Sequence, residues 1–462
     1  MFDVETVALI ASAPSLDGLN LADLPQRFTS AYASIVAARV RLRDVGSADA
    51  IPDQLSTISA EMQRIASAHE AFLAVLPNRD NRMAAAFVGG TAHYVGLLAE
   101  RSQTITQRPS EIGFSVISPE VSATLLFLVA EATADAAEMA KLIDVRSEDP
   151  VEAALLIAIR NLANGQLGPI LQMRIPEHSQ ILDTDLSSQG LRALYYLLFQ
   201  GIRAMAAAML AQTPEVALLE EDAILLFERV RELSVDTNSA VAGTTEKDIR
   251  SLYPGPLHLA SLLLAVAKDL PPSAISNTPA PKNIDGGRWV AAMSQVAVRR
   301  PYLWRNHRKA IDAGYLEIGT SSVISFPTGA GKSTLAELKI AATLLHGAKV
   351  LFLTPTLALA DQTARALEAS FPTADVGNER LEEDLFDLSS EALPTISVMT
   401  PERCLALMSF DQSVFSEVGL LVFDECHLVH PRKLDTSRRS IDAMLCILNF
   451  TNVAPGAIAK SW

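Results

Sequence analysis

The sequence predicts two architectures in one chain: a large all-α region, then an α/β domain built on a parallel sheet. Three observations carry this. Apolar residues recur at three- and four-residue steps through most of residues 20–270. A Pro- and Gly-rich stretch, residues 271–287, interrupts that pattern. Beyond it, short apolar runs alternate with helical patterns, the signature of a parallel sheet covered on both faces. The expected organisation is an all-helical domain over residues 1–270, a linker at 271–287 and an α/β domain over 288–462.

The helical region is read from its spacing. Leu55, Ile58, Met62, Ile65, Phe72 and Leu76 form one stripe, which Pro77 ends. His69 falls on the same stripe and reads as a packed residue. Asp149 and Pro150 open a further helix over 151–163, with aspartate as cap and proline in the first turn. Residues 191–211 and 215–233 continue the pattern. No fixed repeat period emerges, which excludes a regular solenoid and leaves a bundle or irregular helical array.

Pro271, Pro272, Pro279 and Pro281 with Asp285, Gly286 and Gly287 mark the linker. A basic segment follows, with Arg288, Arg299, Arg300, Arg305, Arg308 and Lys309. It reads either as a solvated helical face or as a surface near phosphates. A helical pattern over 308–315 leads into an apolar, strand-like run at 321–325. Strands are then expected at 349–353, 395–399 and 419–423, and helices at 335–345, 357–369 and 401–408. The acidic stretch 382–391 reads as a solvated insertion.

Composition bounds the function. The chain has 462 residues, 49% of them hydrophobic, which implies several folded domains. A net charge of −15 argues against coating nucleic acid through bulk electrostatics. The charge is uneven, however: residues 1–285 hold 21 basic against 34 acidic side chains, and the remainder 17 against 19. Cys404, Cys426 and Cys446 share no metal-ligand spacing and suit a reducing compartment. The N-terminus has no basic n-region, and no apolar stretch is long and uncharged enough to span a bilayer. A cytoplasmic protein with no membrane partner is expected.

Chemistry begins at Phe326-Pro327-Thr328-Gly329-Ala330-Gly331-Lys332-Ser333-Thr334. Between a strand-like run and a helix, Gly329 and Gly331 allow the backbone to turn its N–H groups toward phosphates. The helix N-terminus adds partial positive charge there. Thr328 to Thr334 are therefore the candidate nucleoside-triphosphate cradle. Lys332 would reach the β- and γ-phosphates and the Ser333 hydroxyl would bind Mg²⁺. Phe326 stands where the strict loop pattern has glycine, so the match is to a variant loop.

The second element is Asp424 and Glu425, after the apolar run 419–423. Ligands of parallel sheets bind at the carboxyl edge of the strands. Asp424 would hold the Mg²⁺, and Glu425 would orient or deprotonate the attacking water. Alone, an Asp-Glu pair is an ordinary helix-capping sequence. On the same sheet as a phosphate loop it points to triphosphate hydrolysis.

Here residues 300–450 resemble the superfamily 2 helicases of the DExH type (DEAD/DEAH box). Four motifs stand in the family's order: Pro327 to Ser333, Thr354 to Gln362, Thr400 to Arg403, and Asp424 to His427. The resemblance implies a RecA-like P-loop domain, the first of two motor domains, using ATP and Mg²⁺ on DNA or RNA. It also implies that Pro355, Thr356, Thr400, Pro401 and Glu402 contact one nucleic-acid strand, and that His427 couples the two motor domains. Hydroxyls and helix N-termini suit such sequence-independent phosphate contacts. Read alone, Thr400-Pro401-Glu402 is simply a helix start.

Two residues depart from the family's pattern: Leu357, where arginine is frequent, and His307, where members carry the glutamine that reads adenine. No second motor domain follows within the 462 residues, so a truncated motor, or one completed by a partner chain, is expected. Such a half would bind ATP and unwind little or nothing. The alternatives are a nucleotide-switched protein-interaction module and a non-functional fragment.

Overall fold

The computed structural model describes residues 21–45, 52–103, 110–114, 116–174, 186–211, 222–236, 250–327, 331–378, 393–424 and 438–453. The chain divides into two compact units, Met1–Asn277 with Ala297–Tyr302, and Thr278–Val296 with Leu303–Trp462.

The first unit is helical. Its helices are α1 (Leu24–Val45), α2 (Pro52–Val75), α3 (Arg79–Gln103), α4 (Pro119–Val129), α5 (Thr133–Ala140), α6 (Pro150–Ala163), α7 (Leu167–Gln172), α8 (Leu186–Met209), α9 (Ala223–Leu233) and α10 (Pro254–Asp269). A two-residue ribbon, β1 (Val235–Asp236) with β2 (Arg250–Ser251), lies between α9 and α10. The stripe read from the sequence is α2, whose Leu55, Ile58, Met62 and Ala66 are buried. Asp149 caps α6, accepting from the N–H groups of Val151 and Glu152.

Helix α4 is the centre of this unit. It is apolar on every side, so it can be stable only if enclosed, and it packs against α3, α5, α6 and α10. Gly90 of α3 permits the close crossing: a Cβ there would stand 3.2 Å from the Phe127 ring. The Thr124 hydroxyl, buried in α4, donates to the carbonyl of Glu120 at 2.7 Å, which satisfies it without leaving the helix. Residues 271–277, read as linker, form two short 3-10 turns in which Ser273, Ala274 and Ile275 are buried.

The second unit opens with α11 (Gly286–Arg299) and α12 (Arg305–Asp312) and continues as a three-layer α/β domain. It comprises α13 (Lys332–Leu345), β3 (Lys349–Leu353), α14 (Leu357–Ser370), β4 (Val376–Asn378), β5 (Ile396–Met399), α15 (Pro401–Phe410), β6 (Val418–Phe423) and α16 (Arg438–Val453). The sheet is parallel throughout, in the order β4-β5-β3-β6. Successive strand residues face opposite sides. Val350, Phe352, Val398, Leu420 and Val422 pack with Ala336 and Ile340 of α13 and Ala360, Ala364 and Leu367 of α14. Leu351, Leu353, Met399, Leu421 and Phe423 pack with Cys404 and Leu407 of α15 and Ala443, Cys446 and Phe450 of α16.

One expected strand is absent. Residues 321–325 carry no ladder, and among the described residues β6 has a strand neighbour only in β3. A buried parallel strand hides both faces. Here Ile324 is buried while Val323 is 61% exposed, and three serines supply no further apolar surface. Conversely, β4 is a strand the periodicity did not show. Three half-buried residues with a central glycine are too short a signal. The acidic stretch 382–391 lies outside the described residues. Among those residues, no helix is long and apolar enough to cross a membrane.

Candidate nucleotide site and strand-contact edge

Helix α13 is four residues upstream of β3, so its C-terminal end lies at the amino edge of the sheet. Thr343, near that end, comes within 3.7 Å of the Cβ position of Gly419, near the start of β6. From Thr343 back to Lys332 the helix climbs about 16 Å, at roughly 1.5 Å per residue. From Gly419 forward to Asp424 the strand covers about 16 Å, at roughly 3.3 Å per residue. Lys332 and Asp424 are therefore level at the carboxyl edge, on elements packed against each other.

Gly331 is the N-cap of α13, with φ 78° and ψ 27°. That left-handed conformation is easy for glycine and strained for other residues. The N-terminus of α13 thus presents Lys332, Ser333 and Thr334 in its first turn, an arrangement suited to an anion. The Ser333 side chain and Asp424 are exposed. A hydroxyl and a single carboxylate, leaving room for water and phosphate oxygens, fit the sparse protein ligation of Mg²⁺. Thr328, Gly329, Ala330, Glu425 and His427 lie outside the described residues.

The same edge carries the segments expected to meet nucleic acid. The N–H of Asp424 donates to Leu353 O at 3.2 Å and that of Thr354 to Met399 O at 3.0 Å, so the ends of β6, β3 and β5 are aligned. Pro355 and Thr356 follow β3, and Thr356 caps α14 by accepting from the N–H of Leu359 at 3.3 Å. Thr400 caps α15, accepting from the N–H of Arg403 at 3.5 Å, and is itself buried with Pro401. Glu402 is half-buried in the first turn. A capping threonine still has its O–H to donate, so capping and phosphate contact are compatible at Thr356. Leu357, at the first turn of α14, is exposed.

Three features were not legible in the spacing. The first is Lys339, 2% exposed within α13, whose ammonium donates to Tyr315 O at 2.9 Å and to Glu317 O. It ties the loop-bearing helix to the segment that leads into the loop. Burial pushes its pKa down to about 8, against a smaller opposing effect of Glu317. Its place four residues after Leu335, on the buried stripe, was the available signal. The second is Asn378, at the end of β4, whose amide donates to Asp361 of α14. The third is His307, which packs against Gly331.

A phosphate loop opening one helix, and an acid closing the adjacent parallel strand, define a nucleotide-binding α/β domain of the RecA-like class. The family model of the DEAD/DEAH box helicases matches residues 304–455. Through this domain the chain belongs to the superfamily 2 helicases. It is 30% identical over 141 residues to the ATP-dependent DNA helicase Hel308 of Pyrococcus abyssi, covering 28% of this chain and 18% of that protein. It is 30% identical over 125 residues to the ATP-dependent RNA helicase mtr4 of Schizosaccharomyces pombe, covering 27% and 11%. It is 32% identical over 125 residues to the DExH-box ATP-dependent RNA helicase DExH10 of Arabidopsis thaliana, covering 27% and 12%. The chain thus spans less than a fifth of the length of each of these relatives.

Proposed function

We propose that the chain supplies the ATP-binding half of a nucleic-acid helicase or translocase. The observation that carries this reading is the level placement of Lys332 and Asp424 at a sheet edge that also bears Pro355, Thr356 and Thr400 to Glu402. Gly331, Lys332, Ser333 and Thr334, with Thr328, Gly329 and Ala330 before them, would bind the triphosphate. Ser333 and Asp424 would hold Mg²⁺, which supplies charge neutralisation at the phosphates when bound. Glu425 would position the attacking water. His427, two residues further on, would couple nucleotide state to a second motor domain.

Relatives named for DNA and for RNA match equally well, so the nucleic acid is proposed only as a class. The hydroxyl of Thr356 and the helix starts after β3 and β5 suit a phosphate backbone contacted without reading bases. Hydrolysis coupled to movement would require the second domain, which supplies charge stabilisation and closure over the nucleotide.

The test is MgATP binding and turnover by the chain, with and without single-stranded DNA or RNA. Binding that disappears in Lys332→Ala, and turnover that nucleic acid stimulates and Glu425→Gln removes, would support the motor. MgATP binding accompanied by turnover indifferent to nucleic acid of any length would favour a nucleotide-switched protein-interaction module.

A further inference from the structure

His307 occupies the position at which related domains carry a base-reading glutamine, but its surroundings give it another task. The ring is 2% exposed. Its Nδ1 accepts the backbone N–H of Trp304 at 3.2 Å, the residue that caps α12. The Trp304 indole is a donor only and cannot return that bond; instead it stacks on the imidazole, with centroids 5.4 Å apart and planes 7° from parallel. Phe326, just before the phosphate loop, lies 6.3 Å away on a tilted ring. The remaining edge faces Gly331: a Cβ on that glycine would stand 2.3 Å from Nε2 and 2.5 Å from Cε1.

These contacts assign the ring's hydrogen-bonding capacity. Because Nδ1 accepts, the neutral ring carries its hydrogen on Nε2, as the network requires. That nitrogen lies against the glycine turn. Distinguishing adenine from other bases takes a group that donates and accepts on one base edge, as an Asn or Gln amide does. The only acceptor of His307 is committed to Trp304, and its only donor is held at Gly331. No such pair remains for a base.

We propose that His307 is a positioning residue of the phosphate loop and not a reader of the nucleotide base, so that the site takes purine and pyrimidine nucleoside triphosphates alike. This rests on the nucleotide-site reading above. The Trp304–His307 stack acts as a wedge behind Gly331, holding the turn from which Lys332 and Ser333 project. Phosphates are common to every nucleoside triphosphate, so a site organised this way discriminates bases only through stacking. A site built to hydrogen-bond one base would instead reject the others by about 10⁴-fold.

The experiment is competition of MgATP, MgGTP, MgCTP and MgUTP against a fluorescent triphosphate on the full chain. It uses the wild type, His307→Ala and His307→Asn, whose amide oxygen can accept from Trp304 as Nδ1 does. In the wild type the four affinities should fall within about tenfold of one another. His307→Ala should weaken all four by a similar factor of about 10 or more, with partial rescue in His307→Asn. Thermal melting separates positioning from simple support of the fold. A positioning role leaves the nucleotide-free melting temperature nearly unchanged and shrinks the stabilising shift from all four triphosphates together. An ATP preference above tenfold in the wild type would overturn the inference, as would a loss confined to ATP in His307→Ala. Failure of the wild type to bind any triphosphate would remove the nucleotide site itself, and this inference with it.

Discussion

The imidazole of His307 fills the space that a Cβ on Gly331 would enter, its Nε2 only 2.3 Å from that position. Gly331 is thus required twice, by its left-handed backbone and by the ring behind it. Gly331→Ala should destabilise the α/β domain by about 2–4 kcal/mol, from left-handed strain and overpacking together. Denaturant unfolding checks the magnitude. Adding His307→Ala should recover the steric part and leave the backbone part, so a double-mutant cycle should show coupling of about 1 kcal/mol or more. Strict additivity would mean the ring is not the obstacle.

Lys339 predicts an alkaline gain in stability. Its folded-state pKa is depressed to about 8 from an ordinary value of 10.5. Between those values the unfolded chain binds more protons than the folded one, so stability rises with pH across that window. Across the full window the gain is on the order of 3 kcal/mol. Below pH 8 the buried charge is a fixed cost, partly offset by the carbonyls of Tyr315 and Glu317. Unfolding free energies at pH 7 and pH 9.5 should therefore diverge in the wild type. Relative to that slope, Lys339→Met should be flat.

In the helical unit, the Glu70 carboxylate of α2 pairs with His93 Nε2 of α3 at 2.7 Å and with His258 Nε2 of α10 at 2.8 Å. Burial alone would raise the Glu70 carboxyl, but His258 and His93 override it and hold it well below the carboxylate range. Burial would likewise lower His258, and Glu70 overrides this and raises it. The Glu70 contribution is present above its unfolded value and lost as pH falls through the depressed one. The His258 contribution is present below its unfolded value and lost as pH rises through the raised one. Glu70→Gln should therefore be most destabilising near pH 5–6.5, by about 1–3 kcal/mol once the partial exposure of His258 is discounted. Equal destabilisation at pH 6 and pH 9 would contradict the pairing.

Thr356 separates two roles within one residue. Thr356→Ala should cost about 1 kcal/mol through loss of the α14 cap. Thr356→Asp retains a good cap while placing negative charge where a nucleic-acid phosphate is proposed. Its stability should match the wild type, and its affinity for single-stranded nucleic acid should fall about tenfold or more at low salt. Unchanged affinity in filter binding or anisotropy would remove Thr356 from the contact surface.

Much of the α/β domain was legible because its signals are local. The run at 349–353 is β3 to the residue, and 419–423 lies within β6. Pro401 opens α15 where a first-turn proline should stand, and Asp149 caps α6 as its side chain predicts. The run 321–325 misled because apolar character over five residues does not reveal whether a neighbouring strand offers a ladder. The short β4 was missed for the complementary reason: its pairing with β5, not its composition, makes it a strand.

The sequence by itself determined the chemistry available: a glycine turn before Lys332 and Ser333, an acid pair at Asp424 and Glu425, and threonines opening two helices. These are short-range patterns in which a residue's role follows from its immediate neighbours. Only the tertiary structure decided that Lys332 and Asp424 are level, that Lys339 is held by Tyr315 and Glu317, and that His307 stands behind Gly331. Each of these joins residues brought together by packing, and the distances that set hydrogen bonds, burial and steric contact depend on how elements pack across the fold, not on their separation along the chain.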